Sequence, residues 1–386
     1  MVSFELATPA RVLFGSGRLA GAPAEVEALG ARRVLFVTGR SGERSAALRA
    51  ALEAREIATT TFATAGEPTV DLARLGSAQA VAERCDCVVA MGGGSALDCG
   101  KAVAALAANG GDPLDYLEVV GKGRPLERPS LPFVAIPTTA GTGSEVTRNA
   151  VLGVAQAQVK ASLRSPFMLA RLAIVDPDLL AGAPPEVLAS SGLDALSQLV
   201  EPYLSVRANP LADALAREGI ARSARSLRRA CLEGADAPAR EDLALASLFG
   251  GLCLANAGLG VVHGFAAPVG GMFEAPHGAV CAALLVPSLE VNLRALRGRA
   301  PDHPAVARFR ELAGWFTGRA DAVPEEGIAW IADLCRALRV PGLARYGMTA
   351  EAVPALVERA KAASSMRGNP IALTDAELAE IAARSL

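Results

Sequence analysis

The chain has 386 residues, 51% of them hydrophobic and 20% charged, which fits two or three domains around large cores and excludes a disordered chain. Its 38 basic and 40 acidic side chains leave a net charge of −2, which excludes the basic footprint of a nucleic-acid binder or of a polybasic membrane-surface protein. Seven scattered cysteines, an odd number, suit a reducing cytoplasm rather than a disulfide framework.

The opening Met1-Val-Ser-Phe-Glu-Leu6 has neither a basic nor an apolar signal-peptide region, so a cytoplasmic protein is expected. Residues 11–15, 33–38, 87–91, 132–136 and 172–175 are short apolar runs that end at Gly, Pro or Asp and read as strands. Between them, 45–54, 71–83 and 95–108 carry helical periodicity. Alternation of continuous apolar strands with helices predicts a parallel sheet covered on both faces. Beyond residue 184 strand signals nearly vanish, and 185–204, 211–232, 240–257, 277–291, 304–316, 324–338 and 350–364 read as helices. The expected division is therefore an α/β nucleotide-binding domain over 1–182 and an all-helical domain over 183–386. Residues 243–273 contain no charged side chain, long enough to span a membrane. Seven glycines, Pro268 and the lack of a flanking positive cluster make this a buried core helix instead.

Four segments carry chemistry. The first, 92–101, is Gly-Gly-Gly-Ser-Ala-Leu-Asp-Cys-Gly-Lys, between a strand and a helix. Glycines there let backbone amides approach phosphate oxygens, and the helix dipole favours the anion. It matches neither GxGxxG nor the P-loop, and a plain turn capped by Ser95 is the alternative. The second, 137–145, Pro-Thr-Thr-Ala-Gly-Thr-Gly-Ser-Glu, is rich in hydroxyls and follows the next strand. Two such loops at neighbouring strand ends favour a nucleotide. The third places Asp194 and Gln198 on one face of an apolar helix, where a buried carboxylate needs a partner or a cation. The fourth holds His263 and His277, two of only three histidines. With Asp194 they suit zinc or ferrous iron; paired structural histidines are the alternative.

In this order the segments resemble the iron-containing (group III) alcohol dehydrogenase family over nearly the whole chain, through 92–101, 137–145, Ile174-Val-Asp-Pro177, 192–201 and 260–278. The resemblance implies a dehydroquinate synthase-like architecture. It also implies an active site in the cleft between the two domains, and a homodimer or larger homo-oligomer. The implied reaction oxidises small alcohols or reduces aldehydes and ketones with NAD(P)(H). Gly92, Gly93, Gly94 and Ser95 would hold the pyrophosphate and Asp98 would sit beside the nicotinamide. Thr138, Thr139 and Thr142 would line the cofactor, Lys160 would reach the ribose, and Pro68 and Thr69 would lie near the adenosine. Asp194, His263 and His277 would bind a divalent metal, iron or zinc. Asp98, Thr142, His263 and His277 form the implied catalytic set.

Two positions depart from the family pattern. Gln198 stands where most members carry a fourth, histidine ligand, and Ala267 where a second histidine follows His263 by one turn. Gln198 remains a candidate ligand through its amide oxygen, a weaker donor than imidazole. After the second strand, Gly39-Arg40-Ser41 replaces the acidic residue that would repel a 2′-phosphate, which admits NADP as well as NAD. The expected protein is an NAD(P)-dependent alcohol dehydrogenase or carbonyl reductase with a weakened metal site. A metal-free nicotinamide reductase of the maleylacetate reductase kind is the first alternative. A dehydroquinate synthase-like lyase that uses NAD transiently, and a non-catalytic cofactor binder, are the others.

Overall fold

The computed structural model describes residues 3–39, 42–233 and 236–386. By its internal packing the chain forms two compact units. One comprises Ala7–Thr139 and Gly143–Ala181; the other comprises Gly182–Leu386 with residues 140–142 and the described N-terminal residues up to Leu6.

The first unit is α/β. Its strands are β1 (Val12–Phe14), β2 (Arg33–Thr38), β3 (Ala58–Ala63), β4 (Cys87–Gly92), β5 (Phe133–Pro137), β6 (Asn149–Val154), β7 (Val159–Arg164) and β8 (Leu172–Val175). Its helices are α1 (Ala22–Ala28), α2 (Ala46–Glu53), α3 (Val70–Ala82), α4 (Gly94–Asn109) and the single turn α5 (Pro113–Tyr116). Six strands form one parallel sheet in the order β1-β8-β5-β4-β2-β3. Successive side chains of a strand point to opposite faces. Val34, Phe36, Val89 and Met91 accordingly pack with Val26 and Leu52 of α1 and α2, whereas Leu35, Val37, Val88 and Ala90 pack with Leu97 and Val103 of α4. The expected parallel sheet covered on both faces is the observed one.

The sequence reading missed three strands here. β3 is a sheet edge built from Ala-Thr-Thr-Thr-Phe-Ala, half-exposed and without an apolar run. β6 and β7 form a separate antiparallel hairpin whose residues 149–154 alternate between intermediate and buried. Leu152 and Leu163 cover Ala102, Ala105 and Leu106 of α4.

The second unit is helical: α6 (Pro185–Leu204), α7 (Pro210–Leu232), α8 (Ala237–Ala257), α9 (Val261–Phe273), α10 (His277–Arg299), α11 (Pro304–Thr317), α12 (Pro324–Ala337), α13 (Val353–Lys361) and α14 (Asp375–Arg384). Helix α6 is almost wholly buried from Gly192 onwards. Glycines set how closely its neighbours approach. A Cβ on Gly192 would stand 2.3 Å from the Leu227 side chain of α7, and one on Gly219 of α7 would stand 2.6 Å from Leu199.

The uncharged stretch 243–273 is a correction to the single core helix expected there. It is two helices, α8 and α9, bent by 101°. The turn between them runs through Gly258, whose φ of +70° disfavours any other residue. Helix α10 runs to Arg299 rather than 291. It is long and apolar enough to cross a membrane by composition, but 78% of its most apolar window is buried inside the fold, as in a core helix.

Candidate functional site

In the α/β unit the glycine loop sits where the sheet changes direction. From β2 the chain steps outward to β3, whereas from β4 it continues on the other side to β5. Ligands of open α/β sheets bind at the carboxyl ends of strands flanking such a switch. Gly39 follows β2, Gly92 ends β4, and the Thr138 amide at the end of β5 donates to the Gly92 carbonyl at 2.9 Å. A Cβ on Gly92 would lie 2.6 Å from that of Ala96, so only glycine lets β4 turn this sharply into α4. Gly93 is the N-cap, and no side chain caps α4. Ser95 therefore lies inside the first turn and does not act as the cap. The start of α4 keeps its positive end for an anion.

Asp98, one turn along α4, is engaged by the protein. Its Oδ1 accepts from Ser144 Oγ at 2.5 Å and its Oδ2 from the Val151 amide at 2.9 Å. Buried Lys101 follows it, with Nζ donating to the Ser144 carbonyl and Thr147 Oγ1, both at 2.9 Å, and to the Asn149 carbonyl. The ammonium is 3.1 Å from Asp98. Burial lowers the Lys101 pKa and the Asp98 charge opposes that. Together these two residues tie the Thr/Ser-rich loop and the β6–β7 hairpin to α4. Buried Glu145 titrates high, at about 7, because desolvation outweighs its own backbone amide and the Lys101 charge.

The remaining predicted cofactor residues fall in several places. Thr138 and Thr139 follow β5, whereas Thr142 groups with the helical unit. Pro68 is buried, and Thr69 Oγ1 caps α3 by accepting from the Leu72 amide at 3.2 Å. Lys160 on β7 pairs with Glu67. Arg40 lies outside the described residues.

The helical unit brings the predicted metal residues together. Helix α6 presents Asp194, α9 presents His263 in its first turn, and α10 begins at His277. Gly278 allows this last approach: a Cβ there would stand 2.6 Å from the Ser190 carbonyl oxygen of α6. Asp194 Oδ1 is 3.3 Å from His263 Nε2 and 3.7 Å from His277 Nε2. A fourth group, one of the seven scattered cysteines that nothing in the sequence singles out, joins them. Cys281 Sγ is 3.7 Å from Nε2 of each histidine. One ligand atom from each of the four residues lies within 4.8 Å of the others.

Glu201 was also missed as a functional residue. Its Oε2 is 2.7 Å from His263 Nδ1, and its Oε1 accepts from the Val262 amide at 2.6 Å. An ionised carboxylate accepts only, so His263 donates from Nδ1 and its Nε2 carries a lone pair. That lone pair faces Asp194 Oδ1, a buried oxygen with no hydrogen-bond partner. Two acceptors face to face require a proton or a cation between them. Burial lowers the His277 pKa, but its neighbours Cys281 and Asp194 more than reverse that, to about 9. The His263 pKa is raised for the same reasons and by Glu201. Burial would raise the Asp194 carboxyl, but His277, His263 and the Gln198 amide hold it below its ordinary range. Gln198 itself is buried, and its Oε1 has no partner. A carboxylate, two imidazoles and a thiol, all buried except the partly exposed His277, fit a divalent transition-metal ion.

Two family models match the chain: iron-containing alcohol dehydrogenase over residues 9–177, and the C-terminal domain of the Fe-containing alcohol dehydrogenase family over residues 188–386. Alcohol dehydrogenase 4 of Schizosaccharomyces pombe is 34% identical over 378 residues, covering 97% of this chain and 87% of that protein. Among solved structures, a 1,3-propanediol oxidoreductase aligns with a TM-score of 0.89 at 32% identity, covering all of both chains. Sulfoacetaldehyde reductase from Bifidobacterium kashiwanohense, solved with NAD+, aligns with a TM-score of 0.85 at 28% identity over 100% of this chain and 99% of that one.

Proposed function

Because the chain belongs to the iron-containing alcohol dehydrogenase family, and is thus an oxidoreductase acting on alcohols, we propose that it is an NAD(P)-dependent enzyme assisted by a divalent cation. It would interconvert a small alcohol with its aldehyde or ketone. The observation that carries this reading is the convergence of Asp194, His263 and His277 around an unpartnered buried carboxylate oxygen. A nicotinamide cofactor supplies the hydride chemistry when bound. A cation on those three residues supplies polarisation of the substrate oxygen.

The chain's own residues do the rest. The Gly92–Gly94 amides and the start of α4 receive the pyrophosphate, and Thr138 and Thr139 offer hydroxyls to the cofactor. Asp98 acts as a positioning residue in this scheme, since both its oxygens hold the loop and the hairpin. With Ala267 in place of the second histidine of the family pattern, the Thr142 hydroxyl is the group we assign to the proton. Glu201 holds His263 in the tautomer that leaves Nε2 free for a cation. Gly39, where an acidic side chain would repel a 2′-phosphate, supports acceptance of NADP. The free cysteines support a cytoplasmic setting, and a homo-oligomer is part of the same proposal.

The test is a screen of alcohols, aldehydes and ketones with NAD(H) and NADP(H), after chelation and after stepwise return of zinc or iron(II). Turnover should disappear with chelation and return with metal. Full turnover in excess chelator, with no metal detected, would establish the metal-free reductase instead.

A further inference from the structure

Asp194 and the two histidines give the cation three protein donors; the candidates for a fourth, beside which the substrate oxygen would enter as a fifth, are Gln198 and Cys281. We propose that the Cys281 thiolate is the fourth ligand, and that it makes the site select zinc over iron(II). This inference rests on the reading of a cation at Asp194, His263 and His277.

The geometry favours Cys281. Tetrahedral zinc with bonds of about 2.0–2.2 Å to N or O and about 2.3 Å to S requires donor–donor separations of roughly 3.3–3.6 Å. Four of the six separations in the cluster are 3.3, 3.7, 3.7 and 3.7 Å and all lie within 4.8 Å, so most edges of the cluster are close to those of that figure. Cys281 lies one turn after His277 on α10, on the same face. The helix that carries one ligand thereby carries the other at no further cost in order. Gln198 hydrogen-bonds the Asp194 carboxylate, which suits a residue that orients a ligand. Its amide oxygen is neutral and hard, whereas a thiolate is anionic and soft. Thiolate donors favour zinc over harder, less thiophilic ions. Binding would release the thiol proton to solvent as the sulfur–metal bond forms.

Cobalt(II), which takes zinc's tetrahedral place and is coloured, reports the ligand directly. Cobalt-loaded wild type should show an intense near-ultraviolet sulfur-to-cobalt band beside the visible bands of a tetrahedral ion. Cys281→Ser should lose the near-ultraviolet band, and Gln198→Ala should keep it. In dialysis against equal zinc and iron(II), the bound zinc-to-iron ratio should fall in Cys281→Ser and stay unchanged in Gln198→Ala. Should Cys281→Ser fail to fold, X-ray absorption of zinc-loaded wild type answers the question without a variant, through a sulfur shell at about 2.3 Å. A nitrogen- and oxygen-only shell, or a near-ultraviolet band that survives in folded Cys281→Ser, would overturn the thiolate ligand and leave the cation reading standing. If wild type binds no cobalt in dialysis, the cation reading itself is overturned, and this inference with it.

Discussion

Glu201 holds His263 from two sides: one carboxylate oxygen takes the imidazole Nδ1 at 2.7 Å, and the other takes the amide of the residue before it, Val262, at 2.6 Å. The same side chain thus caps α9 and fixes the ring that α9 carries. A negative charge at a helix N-terminus is favourable in its own right. Gly260 keeps the space open, since a Cβ there would stand 2.9 Å from Glu201 Oε1.

Glu201→Gln should separate the two roles. The amide oxygen can still accept from Val262, so α9 keeps its cap. The amide nitrogen can only donate to Nδ1, which drives the proton onto Nε2 and aims an N–H at Asp194. Zinc affinity, measured by competition with a chromophoric chelator, should fall by about 10–100-fold while circular dichroism is unchanged. Undiminished affinity would mean that the tautomer of His263 is set by something else.

Gly278→Ala tests how α10 is seated. The added carbon would meet the Ser190 carbonyl oxygen at 2.6 Å, and backbone gives way at a cost. Overpacking of this kind costs about 1–3 kcal/mol. The urea midpoint should drop, and metal affinity should drop with it, because His277 is the adjoining residue.

Gly93→Val addresses the nucleotide cradle. A Cβ at Gly93 touches the Thr139 side chain at 3.4 Å, a tolerable contact, so the fold should survive. The branched side chain would stand between phosphate oxygens and the amides at the start of α4. Calorimetric titration with NADH or NADPH should show no binding. Wild-type affinity would place the phosphates elsewhere.

Buried Glu145 predicts a pH dependence of stability. Folded, it keeps its proton to about pH 7; its ordinary value is 4.5. Between those values the folded state binds the extra proton, so stability falls as pH rises from about 4.5 to about 7 and stays low above. Glu145→Gln should remove that slope. Urea midpoints at pH 5 and pH 8 should lie closer together in the variant than in wild type, with the gain at pH 8. Equal slopes in both would show that the carboxyl is ionised throughout.

The sheet was readable where burial is two-sided. β2 and β4 are unbroken apolar runs because both faces are covered. β3, with Thr59, Thr60 and Thr61 on an edge, carries no such run. His263 and His277 were readable because histidine is rare in this chain, and Cys281 was not because cysteine is less so: among seven cysteines nothing marks one, until its spacing of four from His277 is combined with where α10 begins. Glu201 had a comparable signal. Asp194, Gln198 and Glu201 recur at four and three residues on buried α6, but which partner each carboxylate meets depends on α9, whose start the uncharged run concealed.

The sheet's first strand pairs with its last: Val12 lies beside Ala173, and Asp176 accepts from the Gly17 and Leu19 amides just beyond. During synthesis the α/β unit therefore waits for nearly its whole length before its edge can close. At about 5–20 residues per second the delay is roughly ten to thirty seconds. The exposed partner in that interval is the side of β5 that β8 will cover, a strand edge whose unpaired N–H and C=O groups can template association between nascent chains. β5 is five residues long, with Pro132 before it and Pro137 at its end, so the edge left bare in that interval is short and partly blunted by proline, and what remains is closed only when β8 emerges.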